Sequence, residues 1–459
     1  MIELQLSQIA GALEGQLVGQ DCRIHRVSTD TRSIIAGDLY VALKGHRFDG
    51  HQFIDDALAK GAVAVVVSEN IEVACPKIIV DNTTSALGKI GAFVRQVWGG
   101  KIVGITGSSG KTTVRQLTQA IFEHVAPTLA TQGNFNNEIG VPLTLLRLER
   151  QHQYGVIEMG ANHMGEIEYS TQLVKPDVAM ITNVAAAHLE GFGSVHNVAR
   201  AKAEIYDGIA EHGTAIVNSD SSFANYWKDF LRDMPVKLMT FGIERESDVY
   251  ARNIKRTEEG FPFFEFCYQD MALGITVPLP GEHNVYNALA AGAAALASGI
   301  SMAQIQEGLS NVQPVEGRVN IRRGVKGCRI IDDSYNANIG SVTAAIKLLA
   351  SYPDKRILVL GDMAELGNKC RHYHQLVGEM AKDAGLNELY TLGELSQFTS
   401  MSFGNNARHF SHLEPLLVHL NTRLDKNTTL LVKGSRSART ERVVEALMDA
   451  SQAPEVIEG

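Results

Sequence analysis

A glycine-rich segment, KIVGITGSSGKTT, carries the strongest chemical signal in the chain. Lys101–Thr106 is rich in β-branched residues and is predicted to be a strand. Residues 107–110 follow it with small side chains that leave backbone N–H groups free to point at an anion. Apolar spacing predicts a helix over residues 114–125, so a bound phosphate would lie at the positive end of that helix. Lys111 would add a positive charge and Thr112 a hydroxyl for Mg²⁺, so we predict that the loop binds ATP or another nucleoside triphosphate.

The loop departs from the strict P-loop pattern, which requires a glycine where this chain has Ile105. Its glycines are instead Gly104, Gly107 and Gly110. The alternative is an ordinary strand-to-helix turn with a solvated lysine. Three glycines, a lysine and two threonines after an apolar strand favour phosphate binding over that alternative.

Length, charge and cysteine content narrow the class of protein. A chain of 459 residues is too long for one hydrophobic core and predicts about three domains. The net charge of -9 disfavours nucleic acid as a partner, and the five single cysteines indicate a reducing compartment. We recognise no signal peptide and no apolar run long enough to span a bilayer, so we expect a cytoplasmic protein.

Residues 1–81 are predicted to form a small α/β domain that alternates short strands with helices. Two polar clusters stand out in it, STDTR at residues 28–32 and KGHRFDGH at residues 44–51. Both could be solvated loops. They could equally form a pocket for an anionic, hydroxyl-rich ligand, because arginine binds phosphate while aspartate and serine hold sugar or base hydroxyls.

Residues 82–312 are predicted to form an open, mainly parallel α/β domain, whose ligands should gather at the carboxyl ends of its strands. Glu158 ends an apolar strand, where a carboxylate is costly unless it meets a cation; the alternative is a salt bridge at the rim. His188 follows the next apolar strand. Lys202 falls in a helix predicted over residues 197–209 and, taken alone, is typical of a surface lysine.

Asparagines mark two further places in the central domain. The segment GNFNNEIG at residues 133–140 could cap and turn the chain, or it could hold substrate and metal-bound water. Asn287 lies at the start of an alanine-rich helix and would suit a purine edge, although capping of that helix by Asn284 would need no ligand.

Residues 313–459 are predicted to form a second doubly wound domain with its own sheet. No glycine-rich dinucleotide fingerprint opens it, so NAD is not indicated. Its strand ends carry charged and amide side chains in DDSYNAN at 332–338, GDMAELG at 361–367 and KGSR at 433–436. Loops of this composition at strand ends are typical of binding sites.

Taken together, these motifs resemble the Mur ligase superfamily over essentially the whole chain. The resemblance is closest to the branch that joins D-alanyl-D-alanine to UDP-N-acetylmuramoyl-tripeptide, the last soluble amide-forming step of peptidoglycan precursor synthesis. Ile339 is a departure, because the family usually has proline at that position. The segments that carry the resemblance are STDTR at 28–32, DGHQF at 49–53, GITGSSGKTT at 104–113, GNFNNEIGVPLTLL at 133–146, EMG at 158–160, NVAAAHLEGFGS at 183–194, AKAEIY at 201–206, HNVYNALAA at 283–291, GR at 317–318, DDSYNAN at 332–338, LGDMAELG at 360–367 and KGSRS at 433–437.

The resemblance implies three domains: a small N-terminal α/β domain, a central P-loop ATPase domain with a parallel sheet, and a C-terminal Rossmann-like domain. It implies an ATP-dependent amide ligase that works through an acyl phosphate, with ATP and Mg²⁺ as cofactors. The residues implied for ATP are Gly107, Ser108, Ser109, Gly110, Lys111, Thr112, Thr113, Asn287 at adenine, Arg318 at phosphate and Asp333 at ribose. Those implied for metal are Thr112, Glu158, His188 and Lys202, the last as a carbamylated lysine. The implied catalytic set is Lys111, His188, Lys202 and Arg318.

For the substrates, the resemblance implies that the first domain holds the uridine diphosphate end through Ser28, Arg32, Asp49, Gly50 and His51. For the incoming dipeptide we predict Tyr335, Asn336, Asn338 and Arg436. Both substrates are small molecules, and we expect a monomer with no nucleic acid partner and no membrane span.

Three alternatives are weighed against this prediction. A ligase that adds the third amino acid of the same peptide is the nearest, but its diaminopimelate-specific Asp-Asn-Pro-Arg box is absent from the chain. A folylpolyglutamate synthase would not need the STDTR-type first domain. A regulatory P-loop NTPase would not need two further domains lined with ligand-type residues.

Overall fold

The fold is mixed α/β, as predicted, and contains three larger β-sheets that follow one another along the chain. The computed structural model describes residues 1–45, 48–186, 188–257, 260–353 and 355–448. Among the predicted segments, His46 and Arg47 of the first polar loops, Ala187 of NVAAAHLEGFGS and residues 449–459 of the third domain lie outside the described residues. Within the described ranges, no helix is both long and apolar enough to cross a membrane.

The first sheet belongs to the amino-terminal part of the chain. Its elements are β1 Leu4–Gln5, α1 Leu6–Leu13, β2 Gln16–Val18, β3 Arg23–Ile24, β4 Arg26–Ser28, β5 Asp38–Val41, α2 Ile54–Ala59, β6 Ala62–Val67 and β7 Lys77–Ile79. The strand order is β2-β7-β6-β5-β4, with β2–β7 antiparallel and the other pairs parallel, while β1 and β3 form a separate ribbon. The continuous apolar sequence of β6, AVAVVV, is typical of a strand covered on both faces.

The second sheet has nine strands and carries the predicted phosphate loop. Its elements are α3 Thr83–Trp98, β8 Lys101–Thr106, α4 Lys111–Glu123, β9 Thr128–Ala130, α5 Gly140–Leu145, β10 Tyr154–Glu158, α6 Glu166–Val174, β11 Val178–Ile181, α7 Leu189–Phe192, α8 Val195–Ala203, β12 Thr214–Asn218, α9 Ala224–Leu231, β13 Lys237–Gly242, β14 Val249–Arg256, β15 Pro262–Tyr268, β16 Met271–Thr276, α10 His283–Ala297 and α11 Met302–Ser310. The order is β16-β15-β14-β13-β12-β11-β8-β10-β9, parallel from β9 to β14 and antiparallel from β14 to β16. Chain order reverses at β8, which lies between β10 and β11, and ligands bind at such a switch point in open α/β sheets.

The third sheet has six strands and closes the described chain. Its elements are β17 Asn320–Arg323, β18 Arg329–Asp333, α12 Ile339–Ala350, β19 Lys355–Gly361, α13 Cys370–Asp383, β20 Glu388–Leu392, α14 Gln397–Phe403, β21 Ala407–Phe410, α15 Leu413–Arg423, β22 Thr428–Lys433 and α16 Glu441–Leu447. The order is β17-β18-β22-β19-β20-β21, and every pair is parallel except β17–β18. The doubly wound unit predicted here is therefore confirmed, with an antiparallel edge strand added.

We call the elements β1–β7 with their helices the first part of the chain, α3–α11 with their strands the second part, and β17–α16 the third part. The three parts differ in how their apolar cores connect. One buried cluster runs from the first sheet into the second and includes Leu6, Leu87 and Ile102, because α3 packs against both α1 and α5. The third part has separate clusters on the two faces of its own sheet. It meets the second part through polar contacts such as Arg256 Nη1 to the carbonyl of Ser351, 2.9 Å.

Several predicted boundaries needed correction. The helix predicted from residue 114 begins at Lys111, directly after Gly110, whose φ of +77° turns the chain into the helix. The helix predicted over residues 197–209 is α8, which a 3₁₀ turn, Glu204–Gly208, then continues. The domain boundaries after residues 81 and 312 fall between sheets and stay predictions.

Candidate active site

The phosphate loop joins β8 to α4 at the switch point of the second sheet. A Cβ placed on Gly107 would lie 1.9 Å from Thr182 Oγ1, so a side chain cannot be accommodated there. Gly110 has a positive φ, and a Cβ on it would lie 2.9 Å from Asn287 Oδ1. These two glycines allow the loop to approach the ends of β11 and α10, and they leave its amides at the start of α4.

The segment after β11 holds the loop in place. The carboxamide of Asn183 accepts from the Ser109 amide over 3.0 Å and donates to the Ser109 carbonyl over 3.0 Å. Thr182 Oγ1 donates to the same carbonyl over 2.7 Å. Ser108 exchanges hydrogen bonds with the backbone of Ala185. The loop is therefore preorganised by the chain that leads to His188.

Lys111 begins α4 and turns back over the loop, where its Nζ donates to the Gly107 carbonyl over 2.8 Å. Burial lowers the pKa of Lys111, and the nearby carboxylate of Glu158 opposes that shift. The ammonium is thus placed beside the loop amides and has an acidic partner across the site.

Glu158 is 2% exposed at the carboxyl end of β10. It accepts from Thr112 Oγ1 over 3.0 Å and from Asn136 Nδ2 over 2.9 Å, and Arg115 Nε lies 3.8 Å away. The alternative of a salt bridge at the rim is therefore wrong, because the carboxylate is interior. The structure brings together Thr112 and Glu158, two of the predicted metal ligands, as a hydroxyl and a carboxylate.

His188 directly precedes α7 and has φ of +51°, and its Nδ1 contacts Glu365 Oε2. Glu365 belongs to the loop after β19, in the third part of the chain, whereas His188 belongs to the second part. The contact therefore joins the two parts. This contact lowers the pKa of the Glu365 carboxyl, although His188 Nδ1 makes no aligned hydrogen bond among the described residues. His188 lines the same cavity as the phosphate loop.

Lys202 lies near the end of α8 and is 1% exposed, with its Nζ 5.7 Å from the ring centroid of Phe192. Burial and the charge of Lys111 lower the pKa of Lys202 to about 7. The alternative of a surface lysine is wrong.

Over the described ranges, no group of three or more His, Cys, Asp and Glu side chains is arranged to hold a metal ion.

The third part of the chain contributes cations to the same site. The guanidinium of Arg318 stacks 4.3 Å from the ring centroid of Tyr335, and its Nε is buried without a hydrogen-bond partner among the described residues. Asp333 accepts from Lys433 Nζ over 2.6 Å. Burial raises the pKa of Asp333, and Lys433 counteracts this.

One cavity of about 860 Å³ joins the two parts. The predicted residues that line it are Ser108, Ser109, Gly110, Lys111, Thr112, Thr113, Glu158, His188, Asn287, Arg318, Asp333, Tyr335, Asn336 and Asn338. The predicted ATP, metal and dipeptide residues therefore share, for the most part, a single space.

Asn287 lies in the first turn of α10 and donates to Asn284 Oδ1 over 2.8 Å. The alternative that Asn284 caps this helix is wrong, because α10 begins at His283 and Asn284 Nδ2 donates back to the Pro280 carbonyl. The role of Asn287 at adenine stays a prediction.

The residues predicted for the dipeptide are less uniform. Asn338 caps α12 through a bond from the Ser341 amide, 2.9 Å, and its Nδ2 donates to the Ser108 carbonyl over 3.1 Å. Asn336 Oδ1 accepts from the neighbouring Ala337 amide. Arg436 is largely exposed, with its guanidinium 5.9 Å from the Tyr335 ring. The carboxamide of Asn338 is thus engaged within the protein.

The residues predicted for the uridine diphosphate lie at the end of β4 or follow β4 and β5 of the first sheet, and they are not among those that line the cavity. Gly50 passes so close to Leu43 that a Cβ would lie 2.8 Å from its backbone nitrogen and oxygen. Asp49 Oδ1 contacts His51 Nδ1 at 2.6 Å, and the Ser68 amide donates to His51 Nε2 over 3.0 Å.

Ser28 is placed next to this loop by the sheet. It pairs with Tyr40, whose hydroxyl donates to the Gly50 carbonyl over 3.0 Å. Arg32 is exposed and pairs with Asp30, which holds the pKa of that carboxyl at about 2. The two polar clusters are therefore neighbours in space.

Asn136, from the asparagine loop that could hold substrate or metal-bound water, contacts Glu158. Sequence reasoning missed three other residues that contact the predicted set: Asn183, Arg115 and Glu365. Two of them lie in segments already quoted, so their residue types were visible. Arg115, one turn after Lys111 on α4, could have been found from helical spacing. The partners of Asn183 and Glu365 depend on tertiary packing.

Comparisons with known proteins agree with this architecture. Profiles described as Mur ligase family, catalytic domain, as Mur ligase middle domain and as Mur ligase, glutamate ligase domain match residues 23–92, 105–295 and 317–436. A UDP-N-acetylmuramoyl-tripeptide--D-alanyl-D-alanine ligase from Escherichia coli (strain K12) is 44% identical, covering 98% of this chain and 99% of the relative. The ligase of the same name from Bacillus subtilis (strain 168) is 32% identical, with 98% and 99% covered.

Solved structures of Mur ligases are similar to this chain over nearly its whole length. A crystal structure of MurF from Acinetobacter baumannii has a TM-score of 0.91 at 35% identity, covering 96% of this chain and 98% of that one. The MurF ligase from Thermotoga maritima in complex with ADP has a TM-score of 0.82 at 28% identity, covering 92% and 96%. Because relatives above 30% identity span nearly the whole chain, this protein belongs to the Mur ligase family.

Proposed function

We propose that this protein is an ATP-dependent ligase that joins D-alanyl-D-alanine to UDP-N-acetylmuramoyl-tripeptide in peptidoglycan precursor synthesis. The observation that carries the proposal is the shared cavity, in which the phosphate loop and Glu158 face Arg318 and the asparagines of the third part. The curated relatives that span the chain carry the name of this activity.

The chain offers a nucleoside triphosphate site of suitable chemistry. The loop amides lie at the amino end of α4, and Lys111 supplies a cation beside them. The buried Nε of Arg318 has no acceptor among the residues that the structure describes, which fits an anion placed between the two parts. The related ligase that was solved with ADP supports ATP as the nucleotide.

The donor set also fits Mg²⁺. Thr112 and Glu158 present a hydroxyl and a carboxylate 3.0 Å apart, and Mg²⁺ prefers such oxygen ligands together with substrate phosphates. His188 and a carbamylated Lys202 would complete the set. When bound, Mg²⁺ would neutralise charge on the transferring phosphoryl group.

The reaction follows from the need to activate a carboxylate, which is a poor acyl donor. The terminal carboxylate of the tripeptide attacks the γ-phosphate, the bond to the β-phosphate oxygen breaks, and ADP leaves to give an acyl phosphate, while Lys111 and Arg318 stabilise the charge on the transferring group. The free amine of D-alanyl-D-alanine then attacks the activated carbonyl, and inorganic phosphate leaves. The third domain covers the site and excludes water, which would hydrolyse the acyl phosphate.

The remaining assignments belong to the same proposal. A first domain, residues 1–81, holds the uridine diphosphate through Ser28, Arg32, Asp49, Gly50 and His51. A central domain, residues 82–312, holds the nucleotide. A third, residues 313–459, presents the dipeptide through Tyr335, Asn336, Asn338 and Arg436. The enzyme acts as a cytoplasmic monomer on these small molecules.

A phosphate-release assay with purified protein tests the proposal. We expect one phosphate per amide formed, and release only when ATP, the UDP-linked tripeptide and D-alanyl-D-alanine are all present. Turnover with diaminopimelate and the UDP-linked dipeptide would instead assign the preceding ligase. Turnover of ATP with neither substrate present would favour a regulatory NTPase.

A further inference from the structure

The loop after β19 is held rigidly by its own part of the chain. Asp362 accepts from the amides of Glu394, 3.0 Å, and Ser396, 2.7 Å. The Met363 amide donates to the buried His374 Nε2 over 3.1 Å. Because these bonds fix the start of the loop, the third sheet largely determines where Glu365, three residues after Asp362, lies.

Glu365 is directed at the second part of the chain. It has φ of +61°, an uncommon backbone conformation for a residue with a side chain, and its Oε2 contacts His188 Nδ1. Two residues on, Gly367 lies against the start of α7, where a Cβ would be 3.6 Å from the Glu190 Cα. The loop thus docks as a unit onto the segment that begins with His188.

A carboxylate beside one imidazole nitrogen influences which of the two ring nitrogens carries the proton and which has a free lone pair. The negative charge of Glu365 beside Nδ1 favours the proton on that nitrogen and leaves the lone pair on Nε2, and metal-binding histidines commonly have their second nitrogen beside a carboxylate. His188 lines the cavity that also contains Lys111 and Glu158. The carboxylate beside its Nδ1 comes from Glu365, which belongs to the chain that forms the third sheet.

We propose that Glu365 is a positioning residue for His188, supplied by the third domain, so that His188 presents Nε2 to the site only while that domain rests on the second. This deepens the proposed function and rests on it for the use of Nε2 as a metal ligand. The contact couples closure of the domains to assembly of the site. Glu365 is half exposed, so the pair contributes little to stability and does not hold the two domains permanently together.

Nitrogen NMR of full-length protein labelled at histidine tests the proposal without metal or substrates. His188→Gln identifies the His188 signals. We expect wild-type His188 to be held in the Nδ1–H form, Glu365→Ala to release it into a mixture of tautomers, and Glu365→Gln, which keeps an acceptor oxygen, to lie between them. Glu379→Gln, an exposed glutamate on α13, is the matched control and should leave the signals unchanged.

Kinetics give a second readout. Glu365→Ala should raise the Mg²⁺ concentration for half-maximal activity by about 10- to 100-fold, with KM for the UDP-linked tripeptide unchanged. His188 signals that do not respond to Glu365→Ala, in protein whose other histidine signals remain dispersed, would overturn the positioning role. Wild-type protein that forms no amide would overturn the proposed function instead, and the NMR result would still decide whether Glu365 sets the tautomer.

Discussion

The side-chain amide of Asn338 donates to the Ser108 carbonyl over 3.1 Å, across 230 residues of sequence. Asn338 is also the N-cap of α12, and Ser108 belongs to the phosphate loop. Asn338, in the third part of the chain, therefore both caps a helix of its own part and holds the phosphate loop of the second part. Its two functions can be separated by mutation.

Asn338→Ser should keep the cap and lose the brace, because serine caps helices well but is too short to reach Ser108. Asn338→Ala should lose both. We expect Asn338→Ala to be less stable than Asn338→Ser by about 1 kcal/mol in urea unfolding, while both raise KM for ATP to a similar extent. Equal KM values for wild type and Asn338→Ser would show that the bond to the loop has no functional effect.

Asn183→Ala should loosen the phosphate loop, because it removes two hydrogen bonds to the Ser109 backbone and leaves an interior amide without its acceptor. We expect ATP affinity, measured by calorimetry, to fall about tenfold, which corresponds to ~1.4 kcal/mol. Thr182→Val, which removes one bond to the same carbonyl, is the control and should have a smaller effect. The reverse order would contradict the role given to Asn183.

Local chemistry could be predicted from the sequence where neighbours along the chain determine it. The strand Lys101–Thr106, the glycines after it and Lys111 lie within a dozen positions, so residue type and spacing were sufficient. Gly110 also determines where α4 begins, three residues before the predicted start, because its positive φ turns the chain directly into the helix.

Long-range contacts could not be predicted in the same way. Asn183 meets Ser109 because β8 and β11 are adjacent, and Glu365 meets His188 because the third part lies on the second. The spacing of apolar residues along the chain predicts neither of these contacts. Lys202 is an example. The sequence predicts the helix that contains it, but the burial of Lys202 depends on which elements pack against α8. A surface position therefore could not be excluded from the sequence.

Glu388 should make the third sheet's part sensitive to acid. Burial alone would raise the pKa of this carboxyl, but bonds from Arg423, Tyr390 and Lys355 outweigh it and hold the pKa at about 2. Because the folded pKa lies below the ordinary 4.5, the stabilisation is complete above that value and is lost as pH falls towards 2.

Glu388→Gln should therefore lower the free energy of unfolding by about 2–3 kcal/mol at pH 7 and by progressively less below pH 4.5. Urea unfolding of both proteins between pH 7 and 3 measures the difference. Glu379→Gln, at an exposed position of α13, should have no such pH-dependent effect. A Glu388→Gln difference that stays constant over this range would mean that the charge is not the source of the stability.

Lys202 should be open to carbamylation near neutral pH, because burial and Lys111 lower its pKa to about 7 and only the neutral amine reacts with carbon dioxide. Protein equilibrated with ¹³C-bicarbonate should show a carbamate carbonyl signal that strengthens as pH rises from 6 to 8. Lys202→Gln should lack it. Persistence of the signal in that variant would place the modification elsewhere.

The central claim is that Lys111 and its loop couple triphosphate cleavage to amide formation. The most direct measurement compares the rate of amide formation in wild type, Lys111→Ala and the control Lys382→Ala, an exposed lysine on α13. We expect Lys111→Ala to lose about 100-fold or more, since a single preorganised donor in a reacting site is worth that much, with folding preserved and Lys382→Ala unchanged. Amide formation by Lys111→Ala at the wild-type rate would contradict the account.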